Sequence, residues 1–141
     1  MNSKIANYLA IAMKAGALDV GEENGGAAVR HGKAKILLLA ADASDNARRR
    51  AEGFVYGVNV PLVRLPLSKG DISAATGKAG CSMAAITDIG FAKTVAELLV
   101  AEDAQYQAVA QELADKFAKA QRRKAEAKSH ERNKRTGKRR K

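Results

Sequence analysis

The sequence predicts a layered α/β domain followed by a basic C-terminal extension, and three observations carry that prediction. Apolar residues recur at helical spacing in some stretches and form short runs in others, and the two kinds of stretch alternate along the chain. The run Ile36 to Ala41 is apolar on both faces, which fits a central strand covered by helices on either side. Basic charge is concentrated at one end. Residues 116–141 hold 13 Lys and Arg against 2 acidic side chains, a net +11, whereas residues 1–115 hold 12 basic and 13 acidic side chains, a net −1. A chain of 141 residues has room for one modest core and an appendage, not for two full cores.

Taken in order, Ile5, Tyr8, Leu9, Ala12 and Met13 make one apolar helical stripe after Asn2 and Ser3, and Gly16 stops it. Ala17 to Val20 reads as a short strand. Gly21 to Asn24 opens a second helix that reaches His31, with Gly32 as its left-handed cap. After the apolar strand, Asp42, Ser44, Asp45 and Asn46 supply turn and capping oxygens for a third helix from about Ala47 to Tyr56, closed by Gly57. Val60 to Leu65 is the next strand. Ser68 and Asp71 have the spacing of a capping box, with Asp in place of Glu, and start a short helix that Gly77 ends. Met83 to Thr87 is the last strand.

Phe91, Val95, Leu98 and Leu99 then form a helical stripe, and Tyr106, Val109, Ala110, Leu113 and Phe117 form another. From Ala118 onward the only apolar side chains are Ala, so nothing there drives packing, while Ala, Gln, Lys and Glu keep high helix propensity. A solvated, frayed helix is expected; helical from Gln105 to Arg132 it would span about 40 Å. Beyond His130 the chain is expected to be disordered when free. These readings divide the chain into a body, residues 1–103, and a basic extension, residues 104–141.

A dense run of cations attracts polyanions through phosphate contact and counterion release, so nucleic acid ranks above a merely solubilising tail and above an anionic membrane. Arg122, Arg123, Lys124, Lys128, Arg132, Lys134, Arg135, Lys138, Arg139, Arg140 and Lys141 are the candidate phosphate contacts. A membrane partner is disfavoured: no large apolar residue follows Phe117, no apolar run reaches spanning length, and the N-terminus lacks the apolar core of a signal peptide. A cytoplasmic location is expected. Cys81 is the only cysteine, so no intrachain disulfide forms, and His31 and His130 are too isolated to build a metal site with it.

Catalytic and cofactor motifs are absent. There is no GxGxxG and no Walker-type loop, and Gly25-Gly26 stands beside Glu22 and Glu23, whose charge repels phosphate unless other groups offset it. Ser44 near Asp42, or Cys81 with His31, lacks a third orienting group. A protein that is not an enzyme and needs no cofactor is expected.

Three segments carry a resemblance: Gly21-Glu-Glu-Asn, Gly32-Lys-Ala-Lys-Ile-Leu-Leu-Leu-Ala-Ala-Asp-Ala-Ser, and Gly77-Lys-Ala-Gly-Cys-Ser-Met-Ala-Ala-Ile-Thr-Asp. With the Ala12-Met-Lys-Ala-Gly-Ala-Leu opening, they resemble the ribosomal protein family called L-seven-Ae (L7Ae), most closely its bacterial YlxQ-type branch, over about residues 4–100 and in the right order. The resemblance implies a three-layer α/β/α sandwich around a four-stranded mixed sheet. It also implies an RNA-binding protein of ribonucleoprotein particles, whose partner is ribosomal or other structured RNA, often a kink-turn, or the ribosome itself. A monomer is expected.

By the same resemblance, Gly21, Glu22, Glu23 and Asn24 read sheared G·A pairs at the start of the second helix, and the loop Lys78, Ala79, Gly80, Cys81 and Ser82 covers an extruded base. The physics is consistent: a helix N-terminus offers free amides and a positive dipole end, and a loop of small residues lets backbone approach an unstacked base. The sequence departs from the family at Ala27, where Lys or Arg is common, and at Glu23-Asn24, where Asn followed by Glu is frequent. Arg30, Lys33 and Lys35 flank the site and are candidates to replace the missing charge. Gly25 and Gly26 each weaken a helix by roughly 0.5–1 kcal/mol relative to Ala, so an irregular first turn is expected.

Each piece also has a plainer reading. Glu22, Glu23 and Asn24 suit any helix N-terminus, Lys33 and Lys35 any solvated strand flank, Cys81 a small buried site, and Arg48 to Arg50 an exposed helix face. The combination favours an RNA reader over two alternatives: a protein interaction module that only the tail tethers to RNA, and a stand-alone relative of the recognition domains of RNA methyltransferases.

Overall fold

The computed structural model of the chain describes residues 3–136. Among them lie four strands, β1 (Leu18–Val20), β2 (Ile36–Leu39), β3 (Leu62–Arg64) and β4 (Met83–Ile86), in one sheet of order β1-β4-β2-β3. β4 runs antiparallel to both β1 and β2, and β2 runs parallel to β3, so the sheet is mixed. Six α-helices cover it: α1 (Ser3–Lys14), α2 (Glu22–Arg30), α3 (Asp45–Val55), α4 (Lys69–Thr76), α5 (Ile89–Glu102) and α6 (Gln107–Thr136).

Alternation along the two central strands builds a core on each face. Leu37, Leu39, Met83 and Ala85 pack with Ala28 and Val29 of α2 and Ala47 and Ala51 of α3. Ile36, Leu38, Ala84 and Ile86 pack on the other face with α1, α4, α5 and α6, through Ile5, Leu9, Ile72, Val95, Leu99 and Leu113. The three-layer α/β/α sandwich follows, and it explains why β2 and β4 read as unbroken apolar runs: every residue of either strand is buried.

Strand ends are shorter than the apolar runs suggest. β3 starts only after Pro61, which has no N–H to give; its carbonyl instead accepts from Leu37 N at 2.9 Å. Past Leu39, Ala40 N still donates to Ser82 O in register with β4, but Ala41 N turns to Leu67 O beyond β3, and β2 ends. The capping box of α4 is complete, with Ser68 Oγ accepting from Asp71 N and Asp71 Oδ2 from Ser68 N. α3 begins two residues before Ala47, with Ser44 capping it and Asp45 in its first turn, where the dipole favours an acid.

α6 joins α5 through Asp103 and one 3₁₀ turn, Ala104–Tyr106. Its first third belongs to the packed body. Leu113 is fully buried, Lys116 Nζ donates to Asn59 O at 2.9 Å, and the Phe117 ring lies under the Lys93 ammonium, 5.2 Å from the ring centroid. From Gln121 to His130 every residue is exposed, yet the helix runs on to Thr136, past the point where order was expected to end. The packed turns supply the nucleus, and good helix formers then propagate it cheaply. At 30 residues the helix is about 45 Å long.

Strand directions give the sandwich two distinct ends. At one, Val20, Leu39 and Met83 come together, and β2 and β3 finish. At the other, Leu18, Ile36, Ile86 and Pro61 come together.

Candidate nucleic-acid interface

The chain leaves β1 at the first of these ends and turns directly into α2. Gly21 makes that turn with φ +108°, in the region that favours glycine, and its N–H donates to Met83 O at 2.8 Å. A Cβ at Gly21 would stand 3.6 Å from Cys81 Sγ. The start of α2 and the loop between α4 and β4 are therefore neighbours on one edge. In that loop Lys78, Ala79 and Gly80 are exposed, while Cys81 and Ser82 are half-buried. Gly80 turns the loop at φ +72°, and Ser82 O is anchored by Ala40 N at 2.8 Å.

α2 is a regular helix from Glu22 to Arg30, not irregular in its first turn, and the two glycines explain how. Both are buried. A Cβ at Gly25 would lie 3.4 Å from Leu37 Cδ1, and one at Gly26 would lie 2.5–2.9 Å from three ring atoms of Phe54. Gly25 lets the helix settle on the sheet, and Gly26 lets it accept Phe54 of α3. The propensity cost of the pair is offset by close packing that no larger residue permits.

Packing against α3 also decides the charge of the edge. Arg50 Nη1 lies 2.8 and 2.9 Å from the two carboxylate oxygens of Glu22. An ion pair this exposed contributes at most about 1 kcal/mol to stability, so its larger effect is to offset one of the two acids at the helix start. Glu23 remains exposed with no ion-pair partner among the described residues. Asn24 is exposed and donates through Nδ2 to Val20 O at 3.0 Å, which ties it to the end of β1. Arg48 engages Asp45 and Glu52 on its own helix, so within the Arg48 to Arg50 run only Arg50 reaches the edge by an ion pair.

A shallow hollow of about 350 Å³ beside this edge is lined by Glu22, Glu23, Arg30 and Phe54. Arg30 thus reaches back toward the helix start. Lys33 and Lys35 do not join it: Lys35 N donates to Ile86 O, placing both at the opposite end of the sheet. Sequence reasoning missed Arg50 and Phe54. Both sit on the third helix, and only a search for what a buried Gly-Gly accommodates could have pointed to them.

Of the tail residues, Arg122, Arg123, Lys124 and Lys128 are exposed on α6, and Arg132, Lys134 and Arg135 lie on its last turns. Lys138, Arg139, Arg140 and Lys141 fall outside the described residues. The residue pairs with a nucleophilic look are otherwise engaged. Ser44 caps α3, Asp42 accepts from Lys69 N, and Cys81 Sγ lies 3.6 Å from Ala79 O, far from His31 at the other end of α2. Among the described residues no group of three or more His, Cys, Asp or Glu could hold a metal, and no helix is long and apolar enough to cross a membrane.

Residues 3–96 match the model of the ribosomal protein L7Ae/L30e/S12e/Gadd45 family. The chain belongs to this family. A relative from Enterococcus faecium, named RNA-binding protein YlxQ, is 38% identical over 96 residues, which are 68% of this chain and 91% of that protein. Two solved structures share the L7Ae-type fold. A protein of unknown function from Bacillus halodurans has a TM-score of 0.62 at 24% identity, covering 67% of this chain and 95% of its own. The Giardia lamblia 15.5kD RNA binding protein has a TM-score of 0.58 at 22% identity, covering 74% and 88%.

Proposed function

We propose that this chain is a non-catalytic, cytoplasmic RNA-binding protein, associated with the ribosome or ribosomal RNA, that docks structured, kink-turn-like RNA at the edge formed by Gly21 to Asn24 and Lys78 to Ser82. Arg30 stands beside that edge, and the basic part of α6 contacts RNA phosphates away from it. The observation that carries the reading is the juxtaposition of Gly21 and Cys81, 3.6 Å from Cβ position to sulfur, which sets a helix N-terminus and an exposed small-residue loop side by side. Free amides at the helix start suit phosphate or base-edge acceptors, and the loop admits close approach of an unstacked base. Family membership and the name of the Enterococcus faecium relative support the choice of RNA.

Titrating the full chain with a kink-turn hairpin, and with the same hairpin after its sheared G·A pairs are made Watson–Crick, tests this. A reader at the edge prefers the kinked hairpin, and Gly80→Val, which strains the loop, abolishes the preference. Equal affinity for both hairpins, with all binding carried by the tail, would instead make the body a protein interaction module tethered to RNA.

A further inference from the structure

The basic tail departs from the wrong end of the body to share an RNA element with the docking edge. α6 starts at the same end of the sheet as that edge, on the side of β3: Tyr106 Oη, in the 3₁₀ turn just before it, donates to Arg64 O at the finishing end of β3. It then runs the length of the sandwich. By Lys116 and Phe117 it has reached the other end, where Lys116 Nζ meets Asn59 O, two residues before Pro61, and where a Cβ at Gly90, just past β4, would lie 3.6 Å from the Phe117 ring. Its exposed, cationic turns continue outward in that same direction.

Distance makes the separation effective. Along the axis from Gln107, Arg122 is about 22 Å away and Arg135 about 42 Å away at the helical rise of about 1.5 Å per residue. The screening length at physiological salt is about 8 Å, so charges on those turns do little for a phosphate held at the edge. Lys33 and Lys35 also stand at the tail's end of the sheet. The docking edge itself is mixed in charge, with Glu22 and Glu23 beside Arg30, Arg50 and Lys78. The candidate docking edge and the cationic turns thus lie toward opposite ends of the sheet.

We propose that the protein is a bridge: the docking edge holds one structured RNA element while the outer half of α6, with Lys33 and Lys35, holds the backbone of a second, separate RNA segment. The inference rests on the RNA-docking reading of the edge. A helix exposed on every side presents cations all round, which fits a duplex backbone and requires no base sequence.

The test mixes the full chain with a kink-turn hairpin carrying one fluorophore and a plain 20-base-pair RNA duplex carrying another, and measures their co-diffusion by fluorescence cross-correlation. Bridging predicts co-diffusion that depends on protein, with unlabelled duplex removing the labelled duplex but leaving the hairpin bound. The quadruple variant R122E/R123E/K124E/K128E, whose substitutions keep helix propensity, weakens duplex binding by about tenfold or more and abolishes co-diffusion, with hairpin affinity changed less than about threefold. Mutual displacement of hairpin and duplex overturns the bridge while leaving the docking edge standing. Loss of hairpin binding in the charge-reversed variant, with its circular dichroism unchanged, overturns the bridge and the docking edge together.

Discussion

Replacing Gly26 with Ala sets two effects of opposite sign against each other, and the structure predicts which wins. A helix gains roughly 0.5–1 kcal/mol when an interior Gly becomes Ala. Against that, the new Cβ would stand 2.5, 2.7 and 2.9 Å from three ring atoms of Phe54, and normal carbon contact is about 3.5–4.0 Å. The ring or the helix must therefore give way by about 1 Å. Overpacking of this kind costs about 1–3 kcal/mol, and the half-buried ring can yield somewhat toward solvent, so net destabilisation of about 1 kcal/mol is expected. With Phe54→Ala already in place the clash is gone and the same substitution becomes stabilising, by roughly 0.5–1 kcal/mol. Urea denaturation followed by circular dichroism reads both effects as midpoint shifts at constant m. Stabilisation by Gly26→Ala with Phe54 intact, or the same sign in both backgrounds, would refute the claim that Gly26 exists to admit Phe54.

Three further outcomes follow from contacts elsewhere in the molecule. Leu113→Ala empties a fully buried position between α6 and the body and lowers stability by about 2–4 kcal/mol in the same denaturation assay, whereas Lys128→Ala on the exposed turns changes it by less than about 0.5 kcal/mol. Ser68→Ala removes half of the α4 capping box and costs about 1 kcal/mol; a following Asp71→Ala costs less than it does alone, measured as a double-mutant cycle. Tyr106→Phe removes the hydrogen bond to Arg64 O and costs about 0.5–1.5 kcal/mol. Burial first, and the Asp103 charge second, raise the Tyr106 phenol above its ordinary value. The protonated form is the one favoured by folding, so its contribution is intact below the unfolded phenol value, about 10, and is lost as pH rises through the higher folded one. A denaturation series at rising alkaline pH checks it: the Phe variant should lose stability less steeply than the parent.

Much of the architecture was legible because it is written in local pattern. The stripe of Ile5, Leu9 and Ala12, the start of the unbroken apolar run at Ile36, the Ser68 and Asp71 spacing and the stopping glycines at 16, 32, 57 and 77 each act over a few residues, and each stands where pattern placed it. Strand ends were less legible, because Ala41 leaves the ladder for a partner at Leu67, far away in sequence. The docking edge was legible only in pieces. Glu22 reads as an acid at a helix start; that Arg50 offsets it depends on a contact across 28 positions.

The sequence by itself determined the element types, the apolar faces and the confinement of net positive charge to residues after 115, since composition and periodicity need no knowledge of what lies opposite. Tertiary structure alone decided that Gly25 and Gly26 serve packing rather than loosen a helix, that Lys33 and Lys35 part company with Glu23 and Arg30, and that the basic helix points away from the candidate edge. The reason is geometric. A residue's neighbours along the chain fix its conformation, but the direction in which a strand or helix crosses the body is set by pairing and packing with segments dozens of residues away.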